Sequence, residues 1–223
     1  MKKIAVLSAG NGGQALAADL ALRGHDVALY DLPRFAPVIE AIRRRGNTIE
    51  LQNKITGTAT IRLVATDIAE ALDGAEVVYF TARPTAEGVL RSGRARAFGW
   101  SGYRADARQL RYVGSQGRAA RGGEGRTRRG NGQLALCLCR DGAGVVNVRG
   151  VKKAVTLAAF PAGDYAAVEA AVDGAFCTGW RKGENVLATS MSGVNMVVHC
   201  APMLANAGRI ESEGGHFEFY YAG

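Results

Sequence analysis

The first 31 residues constrain the fold more than any other part of the chain. Residues 4–7 form a short apolar run typical of a buried β-strand, and residues 15–22 follow with the alanine and leucine content of a helix that packs on a sheet. Residues 26–31 are a second apolar run, which ends on the acid Asp31. The order strand, tight turn, helix, strand predicts a β-α-β unit with parallel strands.

The turn before the helix is rich in glycine. Residues 8–13, here called the glycine turn, read SAGNGG. In the G-x-G-x-x-G turn of a Rossmann fold the backbone approaches a pyrophosphate closely, and the helix N-terminus offers N–H groups and a positive dipole. Gly10 and Gly13 occupy the second and third glycine positions, whereas Ser8 occupies the first, so a residue with a side chain must make the tight turn. We expect the cofactor to be bound by Ser8, Gly10, Asn11, Gly12 and Gly13.

The acid at the end of the second strand indicates which dinucleotide is bound. Asp31 lies 18 residues after Gly13, close to the spacing of the carboxylate that binds an adenosine ribose. A carboxylate accepts hydrogen bonds from a 2′-hydroxyl and repels a 2′-phosphate, so Asp31 favours NAD. Arg34 leaves NADP open, with a solvated loop charge as the alternative interpretation of this arginine.

The next segments continue an α/β pattern. Residues 36–45 read as a helix, and residues 75–81 read as a buried parallel strand because their apolar run is continuous. Thr81 and Arg83 follow that strand at its carboxyl end, where open α/β sheets bind ligands, so we expect both to border the nicotinamide side of the cleft. The predicted fold class is a Rossmann-type, doubly wound parallel sheet over residues 1–183, followed by the beginning of an all-α domain over residues 184–223.

The positive charge of the chain is concentrated in one segment. The whole chain has a formal net charge of +8, but residues 91–130 alone carry eleven arginines against Asp106 and Glu124, a net charge of +9. The remainder has 17 basic and 18 acidic residues, a net charge of −1. The basic character is therefore no argument for a nucleic-acid partner of the protein as a whole.

Three interpretations of the Arg/Gly-rich residues 87–144 stay open. The segment is an RNA-binding tract, a solvated insertion, or the product of a shifted reading frame. Reading one nucleotide later, with permitted codons, turns residues 108–144 into a turn, an alanine-rich helix and a β run, which a Rossmann sheet should have next. Under this interpretation we expect residues 87–144 not to form the native strands of the sheet.

Cysteine usage and hydropathy indicate the compartment. The four cysteines show no paired metal-ligand spacing, and no metal site is predicted: Cys137, Cys139, Cys177 and Cys200. No apolar signal region precedes the first strand, and no apolar run approaches the roughly 20 residues that span a bilayer. We expect a cytoplasmic protein without a membrane partner.

The C-terminal stretch contributes the candidate catalytic residues. Asn195 and His199 are four residues apart, so a helix would place both on one face. An imidazole beside an amide can give or take the proton that accompanies hydride transfer, although a lone histidine at this spacing is more often structural.

This stretch resembles the octopine/nopaline (opine) dehydrogenase family, in which an N-x-x-x-H pattern precedes a proline, an NAG tripeptide and an aromatic F-x-F-Y. Here the pattern is carried by Asn195, His199, Pro202, residues 206–208 and residues 217–220. Residues 1–86 and 145–153 also resemble the family, and the shifted reading of residues 87–144 restores further similarity.

The resemblance implies an NAD(P)H-dependent reduction of the imine formed by an amino acid and an α-keto acid, with His199 as the acid/base group. These small-molecule substrates would be the partners, with no nucleic acid, and homo-oligomerisation is left open. The family also has a carboxylate partner for the histidine further along its helical domain, beyond Gly223. We therefore expect the chain as written to bind NADH weakly and to show no measurable opine synthesis.

Two alternatives remain from the sequence. A relative of ketopantoate reductase or glycerol-3-phosphate dehydrogenase would share the glycine turn but use a catalytic lysine, for which Lys152 and Lys153 are the candidates. An Arg/Gly-rich RNA-binding protein is the alternative from a different class, although the aromatic residues that stack on bases are sparse in residues 87–144.

Overall fold

The computed structural model describes residues 1–81, 111–114, 129–132, 136–172, 179–191, 195–212 and 214. The chain divides into two compact units, Met1–Ser190 and Met191–Gly223. Each unit is described by itself below.

The first unit contains all twelve described strands and five of the described α-helices, the fifth of which ends at the unit boundary. The strands are β1 Lys3–Leu7, β2 Asp26–Tyr30, β3 Thr48–Asn53, β4 Gly57–Thr60, β5 Leu63–Ala65, β6 Val77–Phe80, β7 Arg111–Gly114, β8 Arg129–Gly132, β9 Leu136–Gly142, β10 Val145–Val151, β11 Ala154–Phe160 and β12 Gly179–Lys182. The helices are α1 Asn11–Leu22, α2 Ala36–Arg44, α3 Ile68–Leu72, α4 Tyr165–Ala171 and α5 Val186–Met191, with single 3₁₀ turns at Pro33–Phe35 and Ala162–Asp164.

The larger sheet has the strand order of a dinucleotide-binding fold. Its eight strands run in the order β12-β11-β8-β7-β6-β1-β2-β5. Strand β1 pairs in parallel with β2 on one side and with β6 on the other. The chain therefore moves outward in one direction from β1 to β5 and then returns to start the other half at β6, which makes the β1/β6 boundary the topological switch point.

Helices cover both faces of this sheet. Along β1, Ile4 and Val6 pack into one hydrophobic cluster while Ala5 and Leu7 pack into another, as the alternation of side chains along a strand requires. The first cluster includes residues of α1 and α2, and the second includes residues of α3. The predicted Rossmann-type, doubly wound α/β fold is confirmed.

A second, smaller sheet packs on the outer side of α1. Its order is β4-β3-β10-β9, with β3 and β10 parallel and the two outer pairs antiparallel. Helix α1 contacts β1 and β2 of the large sheet and β3 and β4 of the small one. Because it lies between two sheets, α1 is buried without interruption from Gly13 to Leu20.

The structure corrects the expectation for residues 87–144. Three described strands fall in this segment: β7 and β8 join the large sheet beyond β6, and β9 pairs with β10 in the small sheet. The physical reason is that strand pairing uses backbone N–H and C=O groups, which every non-proline residue carries, and the open edges of β6 and β10 offer such groups. Apart from residues 143 and 144, which form the turn between β9 and β10, the other residues of the segment lie outside the described ranges.

Smaller differences concern strand direction and strand limits. Strand β11 pairs with β8 in the antiparallel sense, so the sheet is not wholly parallel. Strands β4 and β5 are only two residues apart in the chain, but they belong to different sheets. Residues 179–182 form the edge strand β12.

The second unit is helical where it is described. Its helices are α6 Asn195–Ala205, which contains Pro202, and α7 Ala207–Ser212. On α6, Leu204 is 79% exposed and Met203 is 45% exposed. Across the described ranges, no helix has both the length and the apolar character needed to cross a membrane.

Candidate functional site

The glycine turn lies at the switch point of the large sheet. It directly follows β1, and the first residue after β6, Thr81, is fixed beside it. The hydroxyl of Thr81 is 3.2 Å from the carbonyl oxygens of both Leu7 and Ser8, and the backbone N–H of Thr81 donates to Leu7 O at 3.1 Å. The carboxyl ends of β1 and β6 are thereby held together at the edge where open α/β sheets bind ligands.

Ser8 makes the sharp change of direction. Its φ is +92°, in the left-handed region that glycine adopts without cost, and its N–H donates to Tyr30 O at 2.7 Å. A left-handed backbone costs a residue with a side chain about 1–2 kcal/mol. The imperfect first position of the glycine pattern is therefore occupied by a strained residue, as the sequence predicted.

Gly13 is required by the packing of the turn itself. A Cβ atom at this position would lie 1.8 Å from the carbonyl oxygen of Ser8 and 2.8 Å from Oγ1 of Thr81. Both distances are far below a van der Waals contact, and Gly13 is buried. This glycine allows helix α1 to start directly against the ends of β1 and β6.

Gly10 is different, because the folded chain leaves room at this position. Among the described residues, a Cβ atom there would meet only Oγ of Ser8, at 3.8 Å. Gly10 is the exposed N-cap residue of α1, with φ −67° and ψ 179°, a conformation open to any residue. No side chain in the described part of the chain caps this helix, and no acid lies in its first turn, so the helix itself supplies no charge that neutralises its positive end. Asn11 and Gly12 form the half-buried start of the helix.

Asp31 binds the glycine turn from the end of β2. Its Oδ2 accepts the N–H of Ala9 at 2.7 Å, and its Oδ1 accepts the N–H of Leu32 at 2.8 Å. The residue is only 5% exposed. Burial raises the pKa of Asp31 above its ordinary value, against the lowering effects of the two backbone hydrogen bonds and of the nearby Arg34 charge. Each carboxylate oxygen keeps a further lone pair with which a hydroxyl could bond.

Arg34 lies on the exposed 3₁₀ turn after β2. Its guanidinium carbon is 4.8 Å from the centre of the Phe35 ring, a cation–π distance, and Phe35 is 42% exposed. Against the larger raising effect of burial, the positive charge of Arg34 lowers the pKa of Asp31. The other predicted residue of this group, Arg83, lies outside the described residues.

Sequence reasoning missed Gln14, which is fully buried in α1. Its Nε2 donates to the carbonyl of Ala9 at 2.7 Å, and its Oε1 accepts the N–H of Gly144 at 2.9 Å. One signal could have revealed it: Gln14 is an amide in an otherwise apolar helical run, and buried amides are normally hydrogen-bonded.

The residues predicted to carry the chemistry are located by backbone only. Asn195 and His199 both belong to helix α6, one helical turn apart, and nothing is described of their side chains. In the first unit, Lys152 and Lys153 are exposed in the short connection between β10 and β11.

Comparison with known proteins identifies relatives for both units. Residues 182–223 match the family described as NAD/NADP octopine/nopaline dehydrogenase, alpha-helical domain. The opine dehydrogenase of Arthrobacter sp. (strain 1C) is 31% identical over 230 residues, an alignment that covers 100% of this chain and 62% of the relative.

Solved structures share the fold at lower identity. A structure of octopine dehydrogenase with NADH and pyruvate aligns with a TM-score of 0.65 and 18% identity over 97% of this chain and 57% of its own. The 2-dehydropantoate 2-reductase of Methylococcus capsulatus aligns with a TM-score of 0.59 and 15% identity over 96% and 69% of the two chains.

The chain thus spans 62% of the length of its curated relative and 57% of that octopine dehydrogenase. The sequence relative covers the whole chain, and the family model covers the segment that holds Asn195 and His199. The resemblance to the octopine/nopaline dehydrogenase family that the motifs of this sequence indicated is therefore confirmed.

Proposed function

We propose that this chain is the nucleotide-binding part, with the start of the helical part, of an opine-dehydrogenase-like oxidoreductase that uses NAD(H). The proposed reaction is the reductive condensation of an amino acid with an α-keto acid. The observation that carries the proposal is the glycine turn at the β1/β6 switch point, backed by an uncapped helix N-terminus and by Asp31.

In this proposal the glycine turn binds the pyrophosphate of the cofactor. The space above Gly10 admits a phosphate, and the N–H groups at the start of α1 with the positive end of its dipole would stabilise the negative charge. Asn11 and Gly12 contribute their backbone there, while Ser8 and Gly13 give the turn its shape. Thr81 lies at the neighbouring strand end, on the side that we assign to the nicotinamide together with Arg83.

The preference for NAD depends on Asp31 and Arg34. A 2′-hydroxyl would donate to a remaining lone pair of Asp31, whereas a 2′-phosphate would meet the same carboxylate as a repelling charge. Arg34 is the residue that would offset this repulsion. Its guanidinium is 4.8 Å from the Phe35 ring centre, and both side chains are on the exposed surface beside Asp31.

His199 is the proposed acid/base group, and Asn195 orients the substrate or the imidazole. The bound cofactor supplies the hydride, and the histidine would give or take the accompanying proton at a nitrogen of its ring. The support is the N-x-x-x-H pattern on helix α6 within the segment that matches the family's helical domain. We also propose a domain boundary near residue 183, where that match begins.

The cofactor part is tested by titrating the chain with NADH and with NADPH. We expect NADH to bind more tightly, and Asp31→Ala to weaken NADH binding by about 1.5–3 kcal/mol, the range for hydrogen bonds to charged groups. Arg34→Ala is the matched control, since it removes the neighbouring charge and should leave NADH affinity nearly unchanged. Tighter NADPH binding that disappears in Arg34→Ala would contradict the assignment to NAD.

The chemical part is tested in a version that carries the shifted reading of residues 87–144, the third interpretation of that segment, and a complete helical domain. It should oxidise NADH only when both an amino acid and an α-keto acid are present. His199→Ala should lower kcat by about 10²–10⁴-fold and leave the affinity for NADH unchanged. A His199→Ala variant that retains most of its kcat would return the histidine to a structural role.

A reductase of the 2-dehydropantoate type is the second candidate, supported by the fold shared with the Methylococcus capsulatus enzyme. It would need a lysine in the site, and Lys152 and Lys153 lie exposed between β10 and β11. NADPH-dependent reduction of a keto acid without any amino acid, lost in Lys153→Ala or Lys152→Ala, would favour this candidate.

A further inference from the structure

Ala9 of the glycine turn is held by two buried polar side chains. Its N–H donates to Oδ2 of Asp31 at 2.7 Å, and its carbonyl accepts from Nε2 of Gln14 at 2.7 Å. Gln14 is 0% exposed and Asp31 is 5% exposed. Because water cannot replace either partner inside the protein, both hydrogen bonds fix the backbone that leads from Ser8 to Gly10.

The other end of Gln14 reaches a distant part of the chain. Its Oε1 accepts the N–H of Gly144, which follows β9 and precedes β10, the hairpin of the small sheet. The orientation of the amide is determined by its partners, since only Nε2 can donate to a carbonyl and only Oε1 can accept from an N–H. Gly144 has a φ of +82°, and a Cβ atom there would lie 2.8 Å from Cδ of Arg45, so the hairpin turn needs a glycine at this position.

We propose that Gln14 is a positioning residue that couples the cofactor turn to the hairpin of the small sheet. This inference rests on the proposed function, because the turn that Gln14 positions is the one assigned to the pyrophosphate. Gln14 does not touch the cofactor: it lies inside α1, behind Ala9. It acts by holding the Ala9 carbonyl inward, so that the backbone at Gly10 and the helix N-terminus keep the shape that a pyrophosphate fits.

Coupling follows from the same two bonds. Cofactor binding restrains the glycine turn, the restrained Ala9 carbonyl restrains the Gln14 amide, and the amide restrains the N–H of Gly144. The small sheet therefore supports the cofactor turn. We expect the N–H of Gly144, in the β9–β10 hairpin of that sheet, to be more restrained when the cofactor is bound.

The test uses the full chain and two substitutions of similar volume, Gln14→Leu and Gln14→Glu. Gln14→Leu removes both hydrogen bonds and should weaken NADH binding about tenfold or more, measured where circular dichroism shows the variant folded. Gln52→Leu is the matched control. Gln52 lies on β3 of the same small sheet and bonds Glu50 at 2.8 Å, so its loss should change NADH affinity less than twofold.

Gln14→Glu separates positioning from general stability through a pH profile. The ionised glutamate still accepts from Gly144 but repels the carbonyl of Ala9, whereas the protonated acid donates to that carbonyl and reproduces the amide. Burial favours the protonated form, so NADH affinity should recover as the pH falls from about 8 to about 6. The NADH affinity of the wild type, measured over the same pH range, gives the contribution of every other titrating group, Asp31 included. A variant that binds NADH as the wild type does at all pH values would overturn the proposal.

Amide hydrogen exchange at Gly144 tests the coupling directly. In the wild type NADH should slow this exchange, and Gln14→Leu should abolish the slowing at saturating NADH. Slowing that persists in the variant would show that the coupling does not pass through Gln14. Without NADH, exchange at Gly144 should already be faster in Gln14→Leu. If the wild type binds no NADH but exchange at Gly144 is faster in Gln14→Leu, the proposed cofactor is wrong and the hydrogen-bonded connection from Ala9 through Gln14 to Gly144 is supported. If exchange at Gly144 is not faster in the variant, that connection is wrong.

Discussion

The inner and outer sides of the glycine turn differ in burial and in how closely the folded chain surrounds their residues. The inner side, formed by Gly13, Asp31 and Gln14, is buried, and each of these residues is needed by a neighbour: Gly13 for its lack of a side chain, the other two for hydrogen bonds to Ala9. The outer side, from Gly10 to Gly12, is exposed or half-buried, and a Cβ atom on Gly10 meets no atom nearer than 3.8 Å.

This difference separates Gly13, which serves the fold, from Gly10, which we propose serves a ligand. A change in a residue that the folded chain itself requires can damage the structure first, so its effect on binding is interpreted only in a variant that is shown to be folded. Where a motif predicts a glycine but the fold leaves space for a side chain, a substitution tests whether a ligand occupies that space. The following predictions test this division, in order of decreasing effect.

Gly13→Ala should show the largest effect, a loss of about 3 kcal/mol in the free energy of unfolding measured with urea. The new methyl group would lie 1.8 Å from the carbonyl oxygen of Ser8, so the turn or the helix must move, and overpacking of this kind costs about 1–3 kcal/mol or more. Gly163→Ala is the control, because nothing lies within 4 Å of a Cβ atom there. Equal free energies of unfolding in the two variants would show that the fold does not require a glycine at position 13.

Gly10→Ala should leave the fold almost intact and weaken NADH binding tenfold or more. The φ and ψ of Gly10 suit alanine, and the N-cap position costs alanine less than about 1 kcal/mol relative to glycine. The methyl group would occupy the space that we assign to the pyrophosphate. Isothermal titration with NADH, alongside urea unfolding, measures both quantities; unchanged affinity in a stable variant would show that the outer side does not face the cofactor.

The smallest effect is a pH dependence carried by Asp31. Burial raises the pKa of Asp31 in the folded chain, so the folded state keeps this proton to a higher pH than the unfolded state does. The unfolded state binds fewer protons in that range, and stability falls as the pH rises. The contribution is fully present below about pH 4, the unfolded pKa of an aspartate, and is lost as the pH passes through the raised value.

Asp31→Asn supplies the reference for this measurement, since an amide does not titrate. The free energy of unfolding of the wild type minus that of the variant should decrease from acid pH towards neutrality. A difference that is constant or that increases would mean that hydrogen bonds from Ala9 and Leu32 outweigh the burial of the carboxylate.

Local patterns predicted the elements around the turn well. Strand β1, helix α1 and strand β2 lie where alternating and continuous apolar runs placed them, and Asp31 comes directly after β2. Asp67 directly precedes α3 and is a residue type that suits a helix N-cap, and its side chain accepts the N–H of Ala69 at 2.7 Å. These features depend on residues within about one helical turn or one strand, so the sequence contains all the information they need.

Hydrogen-bond and strand-pairing partners that are far apart in the sequence could not be predicted from local patterns. Gln14 and Gly144 are 130 positions apart, and no periodicity connects an amide in an apolar helix with a glycine in a later hairpin. The strands β7 to β9 were wrongly excluded for the same reason: their pairing depends on which backbone edges the rest of the sheet leaves open, and arginine or glycine content does not decide that.

Residue types along the chain were enough to predict the β-α-β unit, the position of the glycine turn, the acid that follows β2 and the family that residues 182–223 resemble. The roles within the turn became visible only in the folded chain: Ser8 takes the strained conformation, Gly13 is closed in while Gly10 is open, and Asp31 and Gln14 bond to the same residue. The physical reason is that a motif fixes residue types along the chain, whereas the space and hydrogen-bond partners around each residue come from strands and helices that fold onto it from elsewhere.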